Sequence, residues 1–186
     1  MKRIVLCTGL AFASSALQAE WENPADRYVD AYKQYTDAAC PLSRDDIRHF
    51  VYFSRDREMI RDHPLLENPR FAGAHVMYAW SQLEGAEGQY DFSIIEEDLA
   101  YLASRGKALF VQLQDATFSP QYKAVPAYLQ TKNYGGGLTG QVSDEGKLEG
   151  WVARRWDPRI QERFAALLSA MGEVLDNRIE GINLQE

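Results

Sequence analysis

Residues Ile179 to Glu186 read Ile-Glu-Gly-Ile-Asn-Leu-Gln-Glu, an apolar, β-prone run that closes on an amide and then a carboxylic acid. A carboxyl group at the C-terminal tip of a buried parallel strand can give or take a proton, and (β/α)₈ barrels carry their catalytic groups at that end of the strands. Three other strand-like stretches also end in useful groups. His49 to Ser54 leads to Tyr52, Ser54 and Arg55, and Phe71 to Trp80 leads to Tyr78 and Trp80. Lys107 to Gln114 ends in Gln112, Gln114 and the following Asp115. With Asn183 and Gln185, these are hydroxyls, amides and indoles converging on a carboxylic acid. They suit a neutral, polyhydroxylated ligand: amides give and accept hydrogen bonds to hydroxyls, and aromatic faces cover the C–H side of a sugar ring. Glu186 is therefore the candidate catalytic group. Tyr52, Arg55, Tyr78, Trp80, Gln112, Gln114, Asn183 and Gln185 are the candidate substrate-binding groups, although Tyr78 and Trp80 read equally well as core aromatics.

The elements that must position these tips alternate. Asn23-Pro24 starts a helix with Tyr28, Tyr32, Tyr35 and Ala39 on one stripe, expected to lie across the bottom of the fold. After the first strand comes a short helix at about Glu58 to Leu66. After the second, Ser93-Ile94-Ile95-Glu96 has the form of a capping box, Ile95, Leu99 and Leu102 form a buried face, and Gly106 ends the helix. The segment from Asp115 to Trp156 is rich in aromatics and glycines and has no strong periodicity; Gly135-Gly136-Gly137 within it reads as a flexible loop. Asp157-Pro158 then caps a long helix whose stripe is Ile160, Phe164, Leu167, Leu168, Met171 and Leu175. Strands that are apolar on both faces and alternate with helices imply an α/β fold with a parallel sheet covered by helices. Periodicity alone leaves a doubly wound sheet and a barrel both open.

Charge and processing narrow the classes. Met1-Lys2-Arg3, the apolar run Ile4 to Leu17 and the small Ala19 have the form of a signal peptide cut after residue 19. Its fourteen apolar residues are too few to span a bilayer. The expectation is an exported chain, periplasmic or extracellular, with no membrane span after signal removal. Losing Lys2 and Arg3 takes the formal net charge from −7 to −9, an acidic balance that argues against nucleic acid as a partner. Of the two cysteines only Cys40 survives processing, so no internal disulfide forms. His49, His63 and His75 are too far apart for a local ligand pair, and no phosphate-binding glycine loop is present. No metal and no cofactor are expected.

The stretch Val76-Met77-Tyr78-Ala79-Trp80-Ser81-Gln82-Leu83-Glu84, followed by Glu87-Gly88-Gln89-Tyr90-Asp91-Phe92-Ser93, resembles the second-strand region of clan A glycoside hydrolases. It is most similar to the β-galactosidase-type families of that clan. The third strand with its Gln, the Trp156-Asp157-Pro158 helix start and the Gly-Ile-x-x-x-Glu fourth strand recur in the order that the resemblance leads one to expect, over about residues 48–186. The resemblance implies a TIM-type (β/α)₈ barrel, a carbohydrate substrate and the role of general acid/base for Glu186. Two positions depart from the pattern. Gln185 stands where the family usually has Asn before the acid, and Gly85 stands where Pro usually follows Leu-Glu.

A retaining glycosidase needs two carboxyl groups roughly 5 Å apart, one to protonate the leaving oxygen and one to attack the anomeric carbon. The resemblance places the nucleophile on a seventh strand. Neither Asp115 nor Glu84 stands where that nucleophile belongs. A barrel takes about 250 residues, whereas 167 follow the signal segment. The expectation is thus a barrel truncated after strand four: a signal peptide at 1–19, a helical extension at 20–47 and the N-terminal half of a glycoside hydrolase-like barrel at 48–186. Its edge strands would be free to self-associate. A non-catalytic carbohydrate-binding or cell-envelope protein on the same scaffold is the alternative.

Overall fold

The computed structural model describes residues 30–35 and 47–185. The chain divides into two compact units, Met1–Asp45 and Asp46–Glu186. Of the first, Ala31–Tyr35 is a short 3-10 helix; the rest of the helix expected from Asn23-Pro24 lies outside the described residues.

The second unit is built on four parallel strands in the order β1 (His49–Tyr52), β2 (Phe71–Ala79), β5 (Ala108–Gln114) and β9 (Gly181–Leu184). Between β1 and β2 a 3-10 turn, Arg57–Ile60, precedes the short α1 (Pro64–Glu67), where one short helix was expected. After β2 the chain makes α2 (Trp80–Leu83) and a small hairpin of β3 (Glu84–Ala86) and β4 (Gln89–Tyr90), then α3 (Ser93–Ala103). The capping box does not form. Phe92 is the N-cap, the Ser93 amide donates to Asp91 Oδ1 at 2.9 Å, and Glu96 instead accepts from Arg178. Asp91 is the better acceptor because it sits one residue outside the first turn, where an Asx side chain reaches the amide two positions on.

The stretch after β5, expected to lack regular structure, holds an antiparallel sheet of β6 (Ala116–Thr117), β7 (Leu138–Val142) and β8 (Leu148–Ala153), ordered β6-β8-β7. Gly135-Gly136-Gly137 is a hydrogen-bonded turn into β7 rather than a flexible loop: Gly136 N donates to Thr131 O and Gly137 N to Tyr134 O. α4 (Pro158–Leu175) starts as expected, with the Asp157 carboxylate accepting from the Arg159 amide.

Strand alternation sorts the side chains onto two faces. Ala74, Val76, Tyr78, Leu109, Val111 and Leu113 are buried in one core with Ile95, Leu99 and Leu102 of α3 and Ile160, Leu167, Met171 and Leu175 of α4. β2 and β5 approach closely at Gly73, where a Cβ would stand 1.8 Å from the Ala108 carbonyl oxygen. The opposite face is concave. Tyr52 on β1 bonds Gln112 on β5, and His75 on β2 bonds Asn183 on β9, each reaching over an intervening strand. Strands two apart lie about 9–10 Å from one another in a flat sheet, so such bridging needs side chains that lean together on a curled one. Arg48 and Glu180, which precede the two outermost strands, form an ion pair at the strand N-terminal end. The four strands do not close into a barrel.

Candidate functional site

The concave face is layered from its N-terminal end upward. Phe50 and Phe110 meet edge to face with centroids 5.7 Å apart. Above them His75 packs against Phe110 at 5.2 Å and Tyr52 at 4.8 Å. The Tyr52 hydroxyl donates to Gln112 Oε1 at 2.8 Å, and His75 Nε2 pairs with Asn183 Oδ1 at 2.9 Å. Tyr52, Gln112 and Asn183 thus come together as expected, and their polar groups are engaged with one another and with His75, which the sequence did not single out.

The strand tips form a pocket of about 290 Å³ on this floor. Tyr52, Ser54 and Arg55 enter from the end of β1, Met77 from β2 and Gln114 from β5. Thr117, Phe118 and Ser119 enter from β6 and its following loop, and Gln185 from the end of β9. The Arg55 guanidinium lies over the Tyr122 ring, 4.6 Å from its centroid. Gln114 is almost wholly buried. Its side-chain oxygen and that of Gln185 are buried without a hydrogen-bond partner. Buried amide oxygens are nearly always paired, because an unmade hydrogen bond costs about 1–3 kcal/mol. Both residues line the pocket, while these two oxygens lie behind its surface, shielded from solvent. Thr117, Phe118 and Ser119 were missed, their only sequence signal being position directly after a strand tip, whereas Ser54 stands where the sequence placed it, at the tip of the first strand.

Tyr78 and Trp80 depart from the expectation. Tyr78 shares its parity with Ala74 and Val76, so it turns to the helix-covered face, where its hydroxyl donates to Asp98 Oδ2 at 2.8 Å. Burial, and then the Asp98 charge, raise the Tyr78 pKa well above the usual phenol range. Trp80 is fully buried because it opens α2 rather than ending β2. Its Nε1 donates to Glu84 Oε2 at 2.8 Å, and its ring packs edge to face on Phe164 at 5.1 Å. Neither lines the strand-tip pocket.

The nearby carboxylates are committed. Glu84, fully buried, accepts from Trp80 Nε1, the Gly88 amide, the Tyr128 hydroxyl and Arg163. Asp115 is buried against Arg155, which donates to both of its oxygens at 2.7 and 2.5 Å. The hydrogen bond to Asp115 raises the Arg155 pKa against the opposing effect of burial. Arg155 also donates to the Gln185 carbonyl at 2.5 Å. The antiparallel excursion therefore folds back to hold the tip of β9 at the residue before Glu186. Glu186 itself lies outside the described residues. Among the described residues no group of three His, Cys, Asp or Glu side chains could hold a metal ion, and no helix is long and apolar enough to cross a membrane.

Among solved structures, the β-galactosidase from the psychrophilic Marinomonas ef1 superposes on 74% of this chain with a TM-score of 0.51 and 14% identity. Over that stretch the two chains share their fold. The β-galactosidase from Rahnella sp. R3 is 16% identical over 75% of the chain with a TM-score of 0.48. A β-glucosidase from Exiguobacterium marinum is 10% identical over 76% with a TM-score of 0.49. The chain spans 21% of each of the two β-galactosidases and 35% of the β-glucosidase. No family model and no curated protein matches the sequence. At these identities the likeness establishes the fold: a mixed α/β architecture with a parallel sheet that fits a TIM-type wall.

Proposed function

We propose that residues 48–186 are the first half of a TIM-type barrel that binds an oligo- or polysaccharide and takes part in hydrolysing its O-glycosidic bonds. The observation that carries this reading is the convergence of Tyr52, Ser54, Arg55, Gln114, Thr117, Ser119 and Gln185 on a pocket at the C-terminal tips of parallel strands. Hydroxyl, amide and guanidinium groups are the partners that sugar hydroxyls need. Glu186, one residue beyond Gln185, would be the general acid/base of a retaining reaction. Arg155, anchored on Asp115, would fix the backbone from which Glu186 projects. The reaction needs a second carboxyl roughly 5 Å from the first. Asp115 and Glu84 are already bound by arginines, so in this reading the nucleophile is carried by a later strand of the full barrel.

In the same reading residues 1–19 are a signal peptide, residues 20–47 a helical extension, and the protein is exported to the periplasm or beyond. Nucleic acid is not a partner, and the outer edges of β1 and β9, which pair with no further strand among the described residues, allow self-association. The commitment of Asp115 and Glu84 to ion pairs favours a second reading, a non-catalytic carbohydrate-binding or cell-envelope protein using the same pocket. Glu186→Gln separates the two. In a preparation that turns over a natural glycoside, the substitution is expected to abolish turnover and leave saccharide binding intact. Unchanged turnover would remove Glu186 from the mechanism.

A further inference from the structure

Phe118 is 76% exposed, the most exposed large apolar side chain among the described residues. Single exposed apolar residues are ordinary, but this one stands between two cavities. It is among the residues lining the strand-tip pocket, and it also lines a wider cavity of about 520 Å³ shared with Pro120, Gln121, Lys147, Leu148 and Glu149. The loop that presents it is tied down. The Thr117 hydroxyl donates towards the carbonyls of Ser119 and Tyr122, at 3.3 and 2.9 Å, and accepts from the Trp151 amide at 3.2 Å. The Trp151 indole donates to the Pro120 carbonyl at 2.8 Å, and Lys123 lies over the same indole. Gly150 permits this approach, since a Cβ there would stand 1.8 Å from the Thr117 carbonyl oxygen and 3.0 Å from Phe118 Cα. The fold thus fixes the backbone on both sides of an apolar ring while leaving the ring itself in water. An aromatic ring on a fixed backbone, beside a pocket lined by the amide side chains Gln114 and Gln185 and the hydroxyls of Ser54, Thr117 and Ser119, offers both contacts that a pyranose uses, C–H groups on a ring and hydroxyls on polar groups.

We propose that Phe118 is a stacking platform between two adjoining carbohydrate subsites, so that the site takes an oligosaccharide spanning both cavities rather than a single sugar. The strand-tip pocket holds one residue through Gln114 and Gln185, and the next residue lies across Phe118 into the cavity beside Gln121, Lys147 and Glu149. This rests on the carbohydrate reading above and adds the length of the ligand.

The test titrates the full chain with β-1,4-linked gluco-, manno- and galacto-oligosaccharides of one to four residues. For at least one series, affinity is expected to rise from the monosaccharide to the disaccharide or trisaccharide. Phe118→Ala, at a surface position, is expected to lose about tenfold for the longer ligands and clearly less for the monosaccharide, so that the length dependence collapses. Phe118→Trp should restore the length dependence. A length dependence that survives Phe118→Ala, or a wild-type affinity independent of length, overturns this proposal while leaving the carbohydrate reading in place. Absence of binding by every sugar of every length overturns both.

Discussion

Gln114→Met should raise stability and weaken ligand binding together. The substitution keeps an unbranched side chain of similar length and removes a carbonyl oxygen buried without a partner. Relief of one such orphan is worth about 1–3 kcal/mol, offset in part by thioether packing that is not optimised for the gap. For a domain of this size each kcal/mol moves the melting temperature by about 2–4 °C. A rise of a few degrees in thermal unfolding followed by circular dichroism is the expected result. In parallel, loss of one ligand hydrogen bond, about 0.5–1.5 kcal/mol, should weaken saccharide binding roughly two- to tenfold. The two signs must be opposite. If Gln114→Met lowers the melting temperature by more than a degree or two, the amide is serving the fold.

Other outcomes follow from the same contacts. Asp98 is wholly buried and accepts from Arg57, Arg61 and Tyr78. Asp98→Ala leaves the buried Tyr78 phenol unpaired and takes from Arg57 and Arg61 their one buried carboxylate, Arg57 keeping Glu58, Glu97 and the Ile94 carbonyl, and should cost about 3 kcal/mol in a denaturant titration. Gly73→Ala drives a methyl into the Ala108 carbonyl and should prevent β2 from pairing with β5, seen as loss of cooperative unfolding. The hydrogen bonds and charge of Arg159 hold the Asp157 carboxyl below the usual range, so its contribution is present above the unfolded-state pKa and fades as pH falls through the folded-state value. Asp157→Asn keeps a capping oxygen without the charge and should flatten that acid limb in pH-dependent melting. Sedimentation velocity should show concentration-dependent association through the edges of β1 and β9, which pair with no further strand among the described residues; a cooperative, highly stable monomer would contradict it.

The parallel sheet was legible because all four strands, β1, β2, β5 and β9, carry dense apolar runs between clear helix signals. Gln112, Gln114, Asn183 and Gln185 were legible as a set because alternation puts them on one face. The same rule, applied strictly, would have sent Tyr78 to the other face with Val76; proximity to the strand end concealed this. Trp80 misled because α2 begins there and swings its indole towards Glu84, a contact set by tertiary packing. The antiparallel excursion was hidden by Gly140 and Gly150, which dilute the β signal of two strands while serving close packing against Leu148 and Thr117. The clamp from Asp115 through Arg155 to the Gln185 carbonyl joins residues 30 and 40 positions apart, which no local pattern reports.

Carbohydrate binding by the strand-tip pocket is proposed to run through Gln114 and Gln185. Isothermal titration of the chain and of its Gln114→Met/Gln185→Met double variant with β-linked disaccharides tests it directly. Saturable binding by the wild type that is lost in a folded double variant is the predicted result. Binding of equal strength by both proteins, or no binding of any saccharide by the folded wild type, would contradict it.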